Sequence, residues 1–144
     1  MPFWMQVPTP SDAPRVDLYG SRAVGLRRRA PVVAKTANYT CTAEESGTIF
    51  TTRGATAAVN FTTPAPADAI KGVWYRFIDL VDQNMGVLAG TINTVIVFNN
   101  NATADGVIFN TAGHKFGAVV DFHCDGTSWL AVPGCKNTLT IVTG

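Results

Sequence analysis

"SGTIFTTRGATAAVNF" (residues 46–61) and "DGVIFNTAGHKFGAVVDF" (residues 105–122) follow one frame, and that frame decides the fold. The first copy has Gly47, Ile49, Phe50, Thr52 and Gly54, then Ala57, Val59 and Phe61. The second has Gly106, Ile108, Phe109, Thr111 and Gly113, then Ala118, Val120 and Phe122, with two extra residues in the gap. The closing triplets alternate with period two, so each return segment has one apolar face. Gly54 and Gly113 stand where a positive φ costs little. Each phrase therefore reads as a β-hairpin, and two similar hairpins predict related places in a two-sheet body. A chance match between apolar β segments is the alternative. Either way the phrase organises a scaffold and brings no reactive group.

The text around the two phrases is of the same kind. From Ala37 onward "NYTCTA", "VWYRFIDL", "TVIVFN", "SWLAV" and "LTIVT" are short, β-branched or aromatic, and separated by Gly, Asn, Asp or Pro. This spacing predicts an all-β body over residues 37–144, a compact antiparallel β-sandwich or small barrel. Helix is expected to be almost absent. The best candidate, "PAPADAIKG" (64–72), contains two prolines and has room for about one turn.

Residues 1–36 read differently. Pro2, Pro8, Pro10, Pro14 and Pro31 exclude long helices and central strands. The stretch nevertheless carries Phe3, Trp4, Val7, Leu18, Tyr19 and Leu26, more apolar groups than a solvated tail holds. Six Lys/Arg against two acids give it a net charge of +4, whereas residues 37–144, with five against eight, carry −3. The expectation is an extended N-terminal arm that becomes ordered on a partner. Arg27, Arg28 and Arg29 are candidate contacts, to carboxylates through bidentate pairing or to phosphate. No aromatic platform is interleaved with them, which disfavours nucleic acid. Only 15% of the chain is charged, against about 25% in ordinary soluble domains. Part of such a surface is expected to lie under a partner.

No catalytic constellation emerges, and the chain is expected to be a non-enzyme without cofactor or metal. His114, His123, Cys124 and Cys135 lack the paired spacing of a zinc site, and His123 and Cys124 point to opposite faces of a strand. Three cysteines (Cys41, Cys124, Cys135) argue against a disulfide framework. Glu44-Glu45 and Asp79/Asp82 are the close acid pairs, read as solvated loop groups. Trp74, Tyr75, Phe77 and Trp129 suit core packing, with a sugar platform as the other use. The opening "MPFWMQVPTPSDAP" has neither the basic start nor the apolar core of a signal peptide. No apolar run reaches the length of a membrane helix.

One stretch resembles a known group. Tyr39, Thr40, Thr42, Ser46 and Gly47, then Phe50, Thr51, Arg53, Gly54 and Ala55, then Val59, Phe61, Thr62 and Pro64, then Tyr75 and Phe77 resemble a small β module of tailed-bacteriophage structural proteins. The similarity covers residues 37–90 and continues more loosely to about 132; the arm and the C-terminal tail lie outside it. Such modules are similar to those of capsid decoration (cement) proteins, head fibres and tail-associated proteins, and none brings a catalytic residue. One β body with one long arm is the layout of a decoration protein. The resemblance thus implies a homotrimer on the capsid exterior whose arms bind the major capsid protein, with no role for nucleic acid or membrane. The other implied use is a fibre-type adhesion module for host-surface glycans.

Overall fold

Alternation of apolar residues along short strands produces two facing sheets. The computed structural model of the chain describes residues 29–98, 100–134 and 140–143. Its strands are β1 (Val32–Ala34), β2 (Tyr39–Thr40), β3 (Ile49–Thr51), β4 (Val59–Thr63), β5 (Trp74–Ile78), β6 (Met85–Ala89), β7 (Val95–Val97), β8 (Thr103–Ala104), β9 (Gly106–Phe109), β10 (Val119–Cys124), β11 (Trp129–Pro133) and β12 (Thr140–Val142). Two single 3-10 turns, Ala43–Glu45 and Asp68–Ile70, are the only helical elements among the described residues. The second falls inside the proline-bounded segment that had room for one turn.

The strands form a seven-stranded sheet, β1-β3-β5-β10-β11-β7-β8, and a five-stranded sheet, β12-β9-β6-β4-β2. Up to β7 the chain changes sheet at every strand. β1, β3 and β5 are consecutive parallel neighbours in the larger sheet. β2, β4 and β6 are consecutive parallel neighbours in the smaller one. The first half is thus a flattened coil of three turns. β10 then lies antiparallel on β5, and β9 antiparallel on β6, covering the last turn of the coil on both sides. β11 extends the larger sheet antiparallel to β10, with β7 parallel to β11 and β8 antiparallel beyond it, and β12 pairs antiparallel with β9.

The all-β expectation holds, and the antiparallel one does not: five of the ten strand pairings are parallel. The cause is the geometry of the repeated phrase. Its two strands do not pair with each other. β3 belongs to the larger sheet and β4 to the smaller, while β9 belongs to the smaller and β10 to the larger. Each phrase is an arch that crosses the core, and the two arches cross in opposite directions. A strand that leaves its sheet and later returns after a full turn runs parallel to its predecessor. Gly54 and Gly113 do adopt positive φ, +86° and +75°, at the start of each arch.

The core lies between the arches. Phe50 and Phe109 from the outgoing strands, and Val59, Phe61, Val120 and Phe122 from the returning ones, are all buried. Phe50 and Phe61 face each other across the first arch with ring centroids 5.7 Å apart. Phe77 stacks on Phe50 and meets Phe122 edge-on. Such pairs add about 0.5–1.5 kcal/mol each beyond area burial. The polar tips of the large core aromatics are satisfied. The Tyr75 hydroxyl donates to the Thr42 carbonyl at 2.6 Å, and Trp129 Nε1–H donates to the Pro64 carbonyl at 2.8 Å.

Asp79, at the end of β5, ties the two arches together. Its backbone N–H donates to the Ala118 carbonyl, and its own carbonyl accepts from Gly117 N–H, both in the second arch. Its carboxylate Oδ1 accepts from the Thr52 hydroxyl in the first arch at 2.7 Å. The side chain is fully buried, so Asp79 is not the solvated loop acid read from the sequence.

Candidate interaction surface

The registers place the outward residues of the larger sheet in rows. One row runs Trp74, His123, Leu130, Ile96, Thr103. The next runs Val32, Ile49, Arg76, Asp121, Val132. A third runs Ala34, Thr51, Ile78, Val119. Most of these side chains are apolar. Val32, Val132 and Ile96 are 65%, 51% and 42% exposed, and Trp74, Ile49, Ile78, Val119 and Leu130 are half-buried. A sheet face turned to water is normally polar. The outer face of the smaller sheet is mixed, with Asn60, Thr62, Thr40 and Thr140 beside the half-buried Leu88, Ile108 and Val142.

Charge enters the apolar face once. Arg76 Nε donates to Asp121 Oδ1 at 2.7 Å and Arg76 NH2 to Asp121 Oδ2 at 2.8 Å, a planar two-bond pair directly across β5 and β10. The Asp121 bonds hold the Arg76 guanidinium above its ordinary pKa. Mutual pairing makes these two charges less costly to cover than either would be alone. Beside it Trp74 and His123 stack at 6.0 Å.

The chain enters this sheet at its edge. Ile49 N–H donates to the Pro31 carbonyl at 2.8 Å and Lys35 N–H to the Thr51 carbonyl at 2.8 Å, so Pro31 to Lys35 are fixed along β3. Val33 is half-buried and packs against the core. The last residues of the stretch read as arm are therefore an edge strand. Of the nine residues expected to bind a partner, Arg29 alone falls within the described residues, exposed just before that strand. Phe3, Trp4, Val7, Leu18, Tyr19, Leu26, Arg27 and Arg28 lie outside them.

The other chemical candidates resolve into structural roles. Glu45 caps the first 3-10 turn, accepting from Thr42 N–H at 2.8 Å and from the Tyr39 hydroxyl. Cys41 is buried, and burial is the main cause that pushes its thiol up to about 12. His123 is exposed and Cys124 buried, on opposite faces of β10 as strand geometry requires. Cys135 lies outside the described residues, and among those described no three His, Cys, Asp or Glu converge as metal ligands. Trp129 is fully buried, so it cannot line a sugar platform. Tyr75 and Phe77 are buried with it, leaving Trp74 as the one surface aromatic of that set.

The residues that carried the family resemblance are mostly core and turn positions: Phe50, Val59, Phe61, Tyr75 and Phe77 are buried, and Gly47 and Gly54 have positive φ. These buried and turn positions specify architecture. No protein-family model and no curated protein sequence matches this chain.

Proposed function

We propose that this chain is a structural virion protein that binds the outer surface of a bacteriophage capsid and cements neighbouring major capsid protein subunits, acting as a homotrimer. The observation that carries the reading is an apolar outer sheet face at whose edge a basic, aromatic-bearing N-terminal segment joins the fold. The resemblance of residues 37–90 to phage β modules supplies the setting. The mechanism is additive contact. About 400 Å2 of apolar contact per arm contributes ~10 kcal/mol at ~25 cal/mol per Å2. That is comparable with the cost of associating and ordering an arm. Display of three arms on one trimer then raises the effective concentration of the second and third.

The glycan-adhesion reading loses its main platform with the burial of Trp129. The test is co-sedimentation of the full chain with empty capsid shells and, separately, with host envelope polysaccharide. Saturable binding to shells alone is the expected outcome. Binding to polysaccharide alone would reject the proposal.

A further inference from the structure

The central row of outward residues on the larger sheet has the same chemistry read from either end. We infer that this face is a self-complementary docking surface for a second copy of the chain, the two larger sheets packing outer face to outer face about a two-fold axis that runs along the strands between β5 and β10. This goes beyond the proposed function, because it assigns what covers one face of the free protein. A two-fold contact closes after two copies, so the homotrimer proposed on the capsid uses a different contact.

Strand order and register carry the inference. β5 and β10 are the third and fourth strands of seven, and each bears one charge of the central row, Arg76 and Asp121. Rotation about an axis between them sets β5 against the partner's β10, β3 against its β11 and β1 against its β7. Arg76 then faces the partner's Asp121, and Ile49 faces the partner's Val132. In the flanking rows Trp74 faces the partner's His123 and Ile78 faces the partner's Val119. Val32 comes to the partner's β7, where Ile96 is 42% exposed and Phe98, next after the strand, 78%. Apolar groups thus meet apolar groups, and each charge meets its opposite. Shifting the axis onto β5 would set Arg76 against its own copy and Asp121 against the partner's Ile49. Shifting it onto β10 would set Asp121 against its own copy. The ion pair therefore fixes the register.

The central charges have capacity for a second partner. Arg76 uses Nε and one Nη2 hydrogen on Asp121 in its own sheet, and the remaining N–H donors are left over. The two side chains are 45% and 20% exposed. In the pair of sheets the four groups alternate in sign, so none is left alone when water is excluded. A two-fold axis along the strands also gives the aligned packing that face-to-face sheets adopt. Six strands at ~4.8 Å and three rows at ~6.8 Å make a footprint of roughly 29 by 20 Å, on the order of 600 Å2. Two copies together bury about 1,200 Å2, the lower end for a specific interface, which predicts reversible pairing in the micromolar range and no permanent dimer.

The test uses the full chain without shells, so its failure leaves the capsid proposal standing, and loss of shell binding leaves this inference untouched. Sedimentation velocity from low to high micromolar concentration should show a smallest species that doubles reversibly. A species that never doubles, monomer or trimer, would overturn the inference. Val132→Glu sets a carboxylate against the partner's Ile49 and should weaken the doubling roughly tenfold or more; unchanged doubling would overturn it. The variant Arg76→Asp/Asp121→Arg keeps the ion pair within its own sheet and should double as the unchanged protein does. Mixed with isotope-labelled unchanged protein, it should form mixed pairs several-fold below the statistical fraction in native mass spectrometry, because Arg would face Arg and Asp would face Asp. Statistical mixing would overturn the inference. Near-UV circular dichroism verifies the fold of each variant.

Discussion

Two truncations separate the arm from the body: removal of residues 1–28, and removal of residues 1–34. The second takes away the edge strand as well as the arm. It deletes the ladder Val32–Ile49, Val33–Phe50 and Ala34–Thr51, together with the Pro31 carbonyl that receives Ile49 N–H. The exposed β3 edge can rebond to water, so each lost hydrogen bond costs toward the lower end of about 0.5–1.5 kcal/mol. Loss of half-buried Val33 adds about 1 kcal/mol. The sum is about 3 kcal/mol, a large part of the roughly 5–15 kcal/mol that holds a domain together. For a body of this size it lowers the unfolding midpoint by roughly 10 °C. Any contribution of residues 1–28 cancels between the two proteins. Thermal unfolding by circular dichroism measures the difference, and co-sedimentation with empty shells measures binding. Both truncations should lose shell binding. Equal midpoints would refute the assignment of Val32–Ala34 to the sheet. Undiminished shell binding by the 29–144 protein would refute the functional role of the arm.

Three further outcomes follow from the geometry. Gly106→Ala forces a Cβ into the Val87 carbonyl and Leu88 backbone of β6, and should cost about 3 kcal/mol or more in chemical denaturation as β9 is pushed off; Gly47→Ala, where only a φ of +85° is at stake, should cost about 1–2 kcal/mol. Burial raises the pKa of Asp79 above its unfolded value, so its ionised form opposes folding at neutral pH: stability should rise as pH falls through the folded pKa toward the unfolded one, and Asp79→Asn, monitored by urea midpoints between pH 7 and 4, should flatten that rise. Replacing Arg27, Arg28 and Arg29 together by Lys keeps the charge and removes the two-pronged geometry, so shell binding should weaken clearly if carboxylates are the targets; equal binding would reduce the cluster to bulk charge.

The repeated phrase shows what sequence could and could not convey. Its burial was largely legible: of the residues that the alternation marked, Val59, Phe61, Ala118, Val120 and Phe122 are buried and Ala57 is exposed, and the paired Ile-Phe positions contribute buried Phe50 and Phe109. Its connectivity was not. A hairpin and an arch both require two strands with one apolar face each, joined by a turn that tolerates positive φ. They differ in whether the two faces point the same way in one sheet or toward each other across two. That choice is made by what pairs with each strand, β5 with β3 and β6 with β4, and those partners lie 25 residues or more along the chain. β6 itself gives a weak signal, because Gly86 interrupts its apolar run. A Cβ there would meet the amide oxygen of the Asn60 side chain on β4, which would have to turn aside. The buried carboxylate of Asp79 was equally hidden, as its role depends on two arches meeting at one residue.

The apolar outer face, by contrast, is written in the strands that form it. A strand with one wet face alternates, as β4 does with Val59, Asn60, Phe61, Thr62 and Thr63. β5 has Trp74 and Ile78 on its outward side as well as Tyr75 and Phe77 on its inward side, with Arg76 alone breaking the run. β7 reads Val-Ile-Val, and β11 reads Trp-Leu-Ala-Val, each apolar on both parities. Strands apolar on both parities are the signature of a sheet covered on both faces. One face of this sheet is covered by the smaller sheet, and the other leaves Val32, Ile96 and Val132 exposed. The low charge of the chain is thus concentrated where it has a consequence. The strands of the larger sheet are composed for a second covering layer.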